Sequence, residues 1–173
     1  MKRIRYSVAM SLDGYIAGPR GESDWIIMDP DIDFGALFNQ FDAVLLGRKT
    51  FESVQTQGGG EGWRGMEVYV FSRTLQQTDH PGVTIVAENA AGTLTALKKK
   101  SGKDIWLMGG GNLFSSLLDL RMVDTVEVAV IPVVLGAGIP LLPPPGKKAT
   151  LMLTNHTIYK RSGTVSLEYA VLP

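Results

Sequence analysis

Two short segments combine glycine, basic and hydroxyl residues in a pattern typical of phosphate binding. In LLGRKTFE (residues 45–52) and LMGGGNLF (residues 107–114), an apolar strand pattern ends at glycine and a helical pattern begins at once. The first turn of a helix offers free amide N–H groups and a partial positive charge, and glycine lets a phosphate come close to the backbone. The predicted anion-binding residues are Gly47, Arg48, Lys49 and Thr50 in the first junction and Gly109, Gly110, Gly111, Asn112 and Leu113 in the second.

Two arginines strengthen this interpretation. Arg48 and Arg73 each directly follow a predicted strand, in LLGR and VFSR, so both guanidinium groups should lie at the same edge of a sheet. Ser72 and Thr74 add hydroxyl groups beside Arg73. Because a guanidinium matches a phosphate through paired hydrogen bonds, the two arginines would suit the 2′-phosphate of NADP. The alternatives are glycines that serve turn geometry alone and arginines that are simply solvated at the surface.

The elements that must position these residues follow an alternating order. Ile4–Met10, Ala43–Gly47, Glu67–Phe71, Val83–Ala87 and Ile105–Met108 are predicted strands, and helices are predicted at about 30–40, from Arg48, at 90–100 and at 112–120. From residue 126 onward the pattern changes to strands alone, at 126–134, 151–159 and 164–171. This order is typical of an α/β fold with a doubly wound, mostly parallel sheet and antiparallel C-terminal strands. Residues 1–173 are predicted to form one domain.

Composition excludes several classes of protein. Seventeen basic residues balance seventeen acidic ones, so we expect neither a nucleic-acid partner nor a membrane surface. The chain has no cysteine, and two histidines are too few and too far apart to predict a metal site. The N-terminal segment lacks the apolar core of a signal peptide, and no run approaches about 20 apolar residues. We therefore expect a cytoplasmic protein.

The chain resembles the dihydrofolate reductase superfamily, and most closely the reductase domain of the riboflavin-biosynthesis deaminase–reductases. The matching segments, in the family's order, are SLDGYIA (11–17), GESDWI (21–26), LLGRKTFES (45–53), VFSRTL (70–75), IWLMGGGNLFSSLL (105–118) and VDTVEVAVIPVVLGAGIPLL (123–142). The chain departs from the riboflavin enzymes in having GRKTFESV where they usually carry Asp-Asp-Pro, and it has no deaminase signature. It thus resembles a stand-alone member between the two groups.

The resemblance implies a dihydrofolate-reductase-like fold and NADPH as cofactor. Gly47, Arg48 and Thr50 match the first phosphate-binding helix, Ser72 and Arg73 the adenosine-phosphate loop, and Gly109 to Gly111 the pyrophosphate turn. In dihydrofolate reductases a cis peptide joins the glycine pair of that turn. A cis bond between Gly109 and Gly110 is therefore expected here.

The resemblance also implies where a substrate would lie, between the first loop and the predicted 30–40 helix. Asp13, Ser23, Trp25 and Phe34 are the expected substrate-binding residues. Trp25 would stack on a heterocycle or, as an alternative, anchor the loop. Dihydrofolate reductases carry a carboxylate early in this helix that serves substrate protonation. Asp33 is the first candidate for that role and Asp31 the second, although aspartates near a helix start also complement its dipole without any chemistry.

The sequence therefore predicts an NADPH-dependent reductase that transfers a hydride to a C=N or C=O carbon of a small heterocyclic or ribosyl-pyrimidine-like substrate. The alternatives are a non-catalytic nucleotide-binding module on the same fold and a dihydrofolate reductase proper. The apolar strand 126–134 and the loop 136–142 suggest a homodimer surface, as in the riboflavin-pathway relatives.

Overall fold

A computed structural model describes residues 1–59, 63 and 65–173 of the chain. The ten strands are β1 (Ile4–Ser11), β2 (Tyr15–Ala17), β3 (Phe41–Gly47), β4 (Glu67–Phe71), β5 (Thr84–Val86), β6 (Asp104–Gly109), β7 (Thr125–Ile131), β8 (Ile139–Pro140), β9 (Leu151–Tyr159) and β10 (Thr164–Val171). The four α-helices are α1 (Phe34–Phe38), α2 (Arg48–Thr56), α3 (Ala90–Lys99) and α4 (Gly111–Asp119), and a short 3-10 turn spans Gln77–Asp79.

Eight of the strands form one sheet in the order β5-β4-β3-β6-β1-β7-β10-β9. The pairs from β5 through to β7 are parallel, whereas β10 pairs antiparallel with both β7 and β9. The predicted fold class, a mostly parallel α/β sheet with antiparallel C-terminal strands, is confirmed. A separate two-stranded sheet of β2 and β8, which the sequence pattern did not predict, pairs the first loop with the loop that follows β7.

Helices cover both faces of the sheet, and the sheet separates two apolar cores. On one face α3 and α4 pack over the centre of the sheet, in a core that includes Ile4, Tyr6, Leu45, Leu94, Leu107, Leu117 and Val126. On the other face α2 packs over β3 and β4, in a smaller core built on Val44, Leu46, Phe51 and Val70. Strands that carry apolar residues on both faces, such as β3, are buried on both sides, as a central parallel strand should be.

The predicted helix at 30–40 is wrong in its extent. Helix α1 covers only Phe34–Phe38, and its N-cap is Asp33, whose Oδ1 accepts the amide of Ala36 at 2.9 Å. Asp29, just before the predicted start of this helix, is buried and accepts the amides of Asp31 and Ser162, both at 2.9 Å. Because Ser162 is far along the chain, Asp29 ties the segment before α1 to the β9–β10 turn.

Strand β7 is shorter than predicted and lies inside the sheet. It ends at Ile131, since Pro132 has no N–H to extend the ladder. Val126, Val128 and Ile131 are buried in the chain's own core, whereas Val134 and Ile139, in the rest of the expected homodimer surface, are exposed. The homodimer itself stays a prediction.

The glycine-rich stretch from Gln57 to Gly65 predicts a loop, and residues 60–62 and 64 of that stretch lie outside the described residues. Within the described part of the chain, no helix is both long and apolar enough to cross a membrane. The same residues contain no group of three or more His, Asp or Glu side chains placed to hold a metal ion.

Candidate active site

Both glycine junctions lie side by side at one edge of the sheet. Strands β4, β3 and β6 are adjacent and parallel, with Gly47 paired to Phe71 and Leu46 paired to Gly109. The carboxyl ends of these strands therefore bring the two helix starts and the Arg73 loop to the same rim. Ligands of open α/β sheets bind at this edge.

The two junctions touch through their backbones. A Cβ atom built on Gly47 would lie 3.7 Å from the amide nitrogen of Gly110, and one built on Gly110 would lie 3.3 Å from Oγ1 of Thr50. The first distance is an ordinary van der Waals contact, and the second is tight enough that the Thr50 side chain would have to shift. The Gly109–Gly110 peptide is cis, as the family resemblance predicts.

The first turns of α2 and α4 have amides available for an anion. Each helix has nine residues, begins after a glycine N-cap and has no side-chain cap. In α4 the first backbone bond of the helix runs from the amide of Phe114 to the carbonyl of Gly110 at 3.1 Å, which leaves the amides of Gly111, Asn112 and Leu113 outside the ladder. The side chain of Leu113 is buried in the core, so this residue would contribute its amide alone.

Gly111 is small for a different reason. A Cβ atom there would lie 2.8 Å from Cδ of Pro143 and 2.9 Å from the carbonyl oxygen of Pro140. The loop after β8 therefore packs against the start of α4. Of the three consecutive glycines, this one is fixed by packing within the chain.

The predicted adenosine-phosphate side lies beyond the neighbouring strand. Ser72 follows β4, and its Oγ accepts the amides of Thr74 and Leu75 at 3.2 and 3.1 Å, so this hydroxyl shapes the turn. Arg73 and Thr74 are exposed on that turn. Arg48 is exposed too, and its Nη1 lies 3.7 Å from Oε1 of Glu52 within α2.

A cleft of about 1220 Å³ opens from the junctions across the sheet. Lys49, Thr50 and Gly110 line it at the rim, whereas Arg48 and Arg73 lie outside its lining. Pockets that hold one drug-sized ligand usually measure about 300–1,000 Å³. The cleft therefore has room for one end of a dinucleotide together with a second small molecule.

The floor of the cleft is made of small side chains from neighbouring strands. Ser7 and Ala9 of β1, Ala129 of β7 and Ser166 of β10 line it. Ala9 pairs with Ala129, and Ala129 pairs with Ser166, so the three lie in one row across the sheet. α3 and α4 pack on the opposite face, which leaves a flat surface on this one.

Aromatic side chains form one wall. The ring centroids of Phe34 and Phe38 lie 6.1 Å apart, and those of Phe38 and Trp106 lie 5.2 Å apart. Trp106 is fixed by a hydrogen bond from its Nε1 to the carbonyl oxygen of Ser7 at 3.0 Å. A flat floor beside an aromatic wall suits a planar ring.

Both candidate acids line this cleft. Asp33 is held as the N-cap of α1 by the amide of Ala36. Asp31 is exposed, with its Oδ1 3.6 Å from Nη1 of Arg161 in the β9–β10 turn. Both positions are thus compatible with a proton-donating role, and Asp33 is the more firmly held of the two.

The four predicted substrate-binding residues divide into two groups. Ser23 and Phe34 line the cleft, whereas Trp25 and Asp13 lie outside its lining. Trp25 donates from Nε1 to the carbonyl oxygen of Glu22 at 3.0 Å, which anchors the loop. The carboxylate of Asp13 accepts the Ser11 hydroxyl and the amides at 135 and 136. Both residues hold loops together, and the substrate role expected for them stays a prediction.

These bonds keep Asp13 ionised. The hydrogen bond from the hydroxyl of Ser11 is the main cause that lowers the pKa of the Asp13 carboxyl, and the amides of Leu135 and Gly136 act in the same direction. A carboxylate held this way clamps the loop after β7 onto the turn after β1.

Two carboxylates of the cleft escaped the sequence analysis. Glu127 of β7 is buried and binds Arg5 of β1, and Glu168 of β10 lies opposite Glu127 in the ladder. The sequence signal was an alternation of residue types. In β7, Thr125, Glu127 and Ala129 alternate with apolar residues, as Arg5, Ser7 and Ala9 do in β1. A period of two assigns the polar set to one face, which in this protein is the floor of the cleft.

A match to a family model shows to which protein family the chain belongs. The model of the RibD C-terminal domain matches residues 2–165. The chain belongs to the RibD C-terminal domain family. Two proteins of Bacillus subtilis strain 168 are similar over nearly their whole length: YyaP is 36% identical over 97% of this chain and 94% of its own, and YwjB is 32% identical over 98% and 94%.

Solved structures share the fold of this RibD C-terminal domain protein. A Shewanella sp. PV-4 protein assigned to riboflavin biosynthesis superposes with a TM-score of 0.83 at 24% identity, over the full length of both chains. The deaminase/5-amino-6-(5-phosphoribosylamino)uracil reductase of Thermotoga maritima gives 0.73 at 18% identity, over 99% of this chain and 57% of that one. Dihydrofolate reductase from Enterococcus faecalis, complexed with NADP(H), gives 0.71 at 16% identity, over 99% and 97%. The fold is therefore that of dihydrofolate reductase.

Proposed function

We propose that this protein is an NADPH-dependent reductase that delivers a hydride to a C=N or C=O carbon of a small heterocycle. The observation that carries the proposal is the contact between the two glycine junctions, at the point where they open into the cleft. Membership of the RibD C-terminal domain family supports a reductase.

The residues of the rim fit a phosphorylated dinucleotide. Helices α2 and α4 begin at adjacent strand ends, with Gly47 and Gly110 close to each other, and their first-turn amides would donate to the pyrophosphate. Arg73, with Arg48 and Thr74, would hold the 2′-phosphate, since guanidinium groups bind phosphate through paired hydrogen bonds. When bound, NADPH supplies the hydride.

The chain's own contribution to the reaction is orientation and a proton. The row of Ala9, Ala129 and Ser166 gives a planar ring a flat surface to lie on, beside Phe34. Asp33 would donate the proton that accompanies the hydride, because it lines the cleft from a fixed position at the start of α1. Asp31 is the second candidate.

The names of two structural neighbours are those of reductases, which supports the proposed type of reaction. One neighbour is a 5-amino-6-(5-phosphoribosylamino)uracil reductase and another is a dihydrofolate reductase complexed with NADP(H). We propose further that the protein is cytoplasmic and works as a homodimer. The partners we propose are small molecules alone.

Titration of the purified protein with NADPH, followed by cofactor fluorescence, tests the proposal. We expect saturable binding that is tighter for NADPH than for NADH. Oxidation of NADPH would then be measured against a panel of pterins, pyrimidinones, dihydrofolate and small carbonyl compounds. Asp33→Asn should lower kcat for any active compound and leave NADPH binding unchanged, with Asp24→Asn as the control at an exposed loop position. Absence of NADPH binding at millimolar concentration would overturn the proposal.

A further inference from the structure

A charged cluster lines the cleft near the amino ends of β1, β3 and β7, away from the glycine junctions at the carboxyl ends, and we call it the inner end. Its residues are Arg3, Arg5, Gln40, Glu127 and Glu168, all of which line the cleft. Nε and Nη2 of Arg5 donate to the two carboxylate oxygens of Glu127 at 2.6 and 2.8 Å. Nη1 of Arg5 donates to Oε1 of Gln40 at 2.7 Å. Each terminal nitrogen of this guanidinium therefore already has an acceptor within the chain.

Arg5 cannot turn toward a ligand without breaking this arrangement. Its side chain is 8% exposed, that of Glu127 is 9% exposed, and the guanidinium lies over the ring of Phe41 at 4.8 Å from the centroid. Removing one member of a buried ion pair leaves the other charge uncompensated. A phosphate would have to compete with Glu127 for Arg5, and we expect the intramolecular pair to prevail.

Arg3, the second cation of the inner end, is paired as well. Its Nε and Nη2 donate to Oδ2 of Asp104 at 3.1 and 2.7 Å. Asp104 Oδ2 also lies 3.6 Å from Nη1 of Arg5. The carboxylate thus bridges the two arginines.

Among the residues that the structure describes, Glu168 lines the inner end without an ion-pair partner. It lies directly opposite Glu127 in the β7–β10 ladder, and its Oε1 accepts the side-chain amide of Asn155 at 3.2 Å. Two arginines and two carboxylates line the inner end, and Asp104, which lies outside the lining, takes up the charge of Arg3 while Glu127 takes up that of Arg5. The carboxylate of Glu168 is therefore the charge that an incoming ligand meets, and it disfavours an anion and offers oxygen acceptors to a donor group.

The other cations that line the cleft do not change this balance. Among the residues that the structure describes, these are Arg20 and Lys49. Arg20 Nε lies 3.0 Å from Oε1 of Glu22. Lys49 is in the first turn of α2, beside the amides that the proposed function assigns to the cofactor.

We propose that the substrate of this cleft is an unphosphorylated heterocycle, neutral or cationic, whose amino or hydroxyl groups donate to the carboxylates of the inner end. This inference rests on the proposed function and names the substrate class of the same site. It separates this protein from its structural neighbour in Thermotoga maritima, whose name specifies a 5-phosphoribosylamino compound. A phosphate carries a charge of about −1.5 to −2 at neutral pH, which Glu168 and its neighbours would disfavour.

Matched ligand pairs test the proposal, because each pair differs only by a phosphate. Cytidine and cytidine 5′-phosphate form one pair, and riboflavin and flavin mononucleotide form the other. Binding would be measured by calorimetry at low salt, with and without excess NADP⁺. The excess NADP⁺ prevents the phosphate groups of the tested ligands from binding at the cofactor site. We expect at least one unphosphorylated member to bind about tenfold more tightly than its phosphorylated partner.

Variants at Glu168 test whether the charge of this residue causes the preference for the unphosphorylated ligand. Glu168→Lys should reduce it to about threefold or less, and the isosteric Glu168→Gln should have a smaller effect in the same direction. Glu88→Lys makes the same charge change at an exposed position after β5, and should leave the preference unchanged. Circular dichroism of each variant would verify folding, and Glu168→Gln keeps the test available if Glu168→Lys does not fold.

Three outcomes would overturn the proposal: a phosphorylated member that binds as tightly as its partner, no binding by either unphosphorylated member, or a preference that Glu168→Gln and Glu168→Lys both leave untouched. The NADPH titration is independent of these measurements. If the protein fails to bind NADPH but shows a preference that depends on Glu168, the proposed reductase is refuted and the charge selection of the cleft stands. If it binds NADPH but shows no such preference, the charge selection is refuted and the proposed reductase stands.

Discussion

The carboxylate of Glu127 holds the guanidinium of Arg5 through both of its oxygens, at 2.6 and 2.8 Å, between two neighbouring parallel strands. Both side chains are more than nine-tenths buried. Burial opposes the charge on Arg5, but the hydrogen bond and charge of Glu127 outweigh it and raise the pKa of the guanidinium. The guanidinium of Arg5 therefore stays charged inside the protein.

Removal of one member of this pair should be strongly destabilising. We expect Glu127→Ala to lower the free energy of unfolding by about 3–5 kcal/mol, because it leaves the buried Arg5 without its partner. Arg3→Ala is the control: its guanidinium is 57% exposed, so the loss should stay below about 1 kcal/mol. Urea denaturation measures both values. Equal losses for the two variants would contradict the account of a buried pair.

Alanine substitutions at Gly47 and at Gly111 should have different effects: the first should weaken cofactor binding, and the second should lower stability. A Cβ at Gly47 makes only ordinary contacts, the nearest at 3.7 Å, so Gly47→Ala should fold normally and bind NADPH about tenfold more weakly, through the loss of close approach to the backbone. Gly111→Ala would place Cβ 2.8 Å from Pro143 and should cost about 1–3 kcal/mol of stability. Thermal unfolding and NADPH titration of both variants provide the measurements. Unchanged NADPH affinity in Gly47→Ala would count against the phosphate site.

Arg73 should select the phosphorylated cofactor. It is exposed on the turn after β4, at the rim that carries both junctions. We expect Arg73→Ala to weaken NADPH binding about 10- to 100-fold, as loss of a charge-assisted hydrogen bond does, and to leave NADH binding unchanged. Lys99→Ala, at the exposed end of α3, removes a positive charge elsewhere. An equal loss of NADH affinity would place Arg73 away from the 2′-phosphate.

Asp29 should make stability depend on pH. Hydrogen bonds from Ser162 and from the amide of Asp31, with the nearby charge of Arg161, lower the pKa of its carboxyl below the ordinary value of 3.8. A carboxyl whose pKa is lowered by folding stabilises the protein above its unfolded pKa, and that contribution is lost as the pH falls through the folded value. Wild type should therefore exceed Asp29→Asn in stability at pH 7.

Denaturation midpoints of both proteins between pH 7 and pH 3 measure this effect. The difference should be full at pH 7 and should shrink below about pH 4. Asp24→Asn, at an exposed position of the first loop, should show no such pH dependence. A difference between wild type and Asp29→Asn that stays constant across this range would show that the ionised carboxylate is not what holds the β9–β10 turn.

The amino-acid sequence determined the order of the elements and the place of both junctions, because these depend on local patterns. A short apolar run ending at glycine predicts a buried strand and a turn wherever it occurs, and β3–α2 and β6–α4 follow that pattern within a residue or two. The cis bond at Gly109–Gly110 came from the family resemblance.

The tertiary structure alone decided which side chains meet. Arg5 and Glu127 are separated by 122 positions and Asp29 and Ser162 by 133, and no local pattern specifies such partners. The same holds for Asp13, whose residue type suits a binding site but whose carboxylate accepts the amide of Gly136, 123 positions away. Periodicity tells which residues share a face of a strand, whereas only the packing of the other elements decides which face becomes a core and which becomes a cleft.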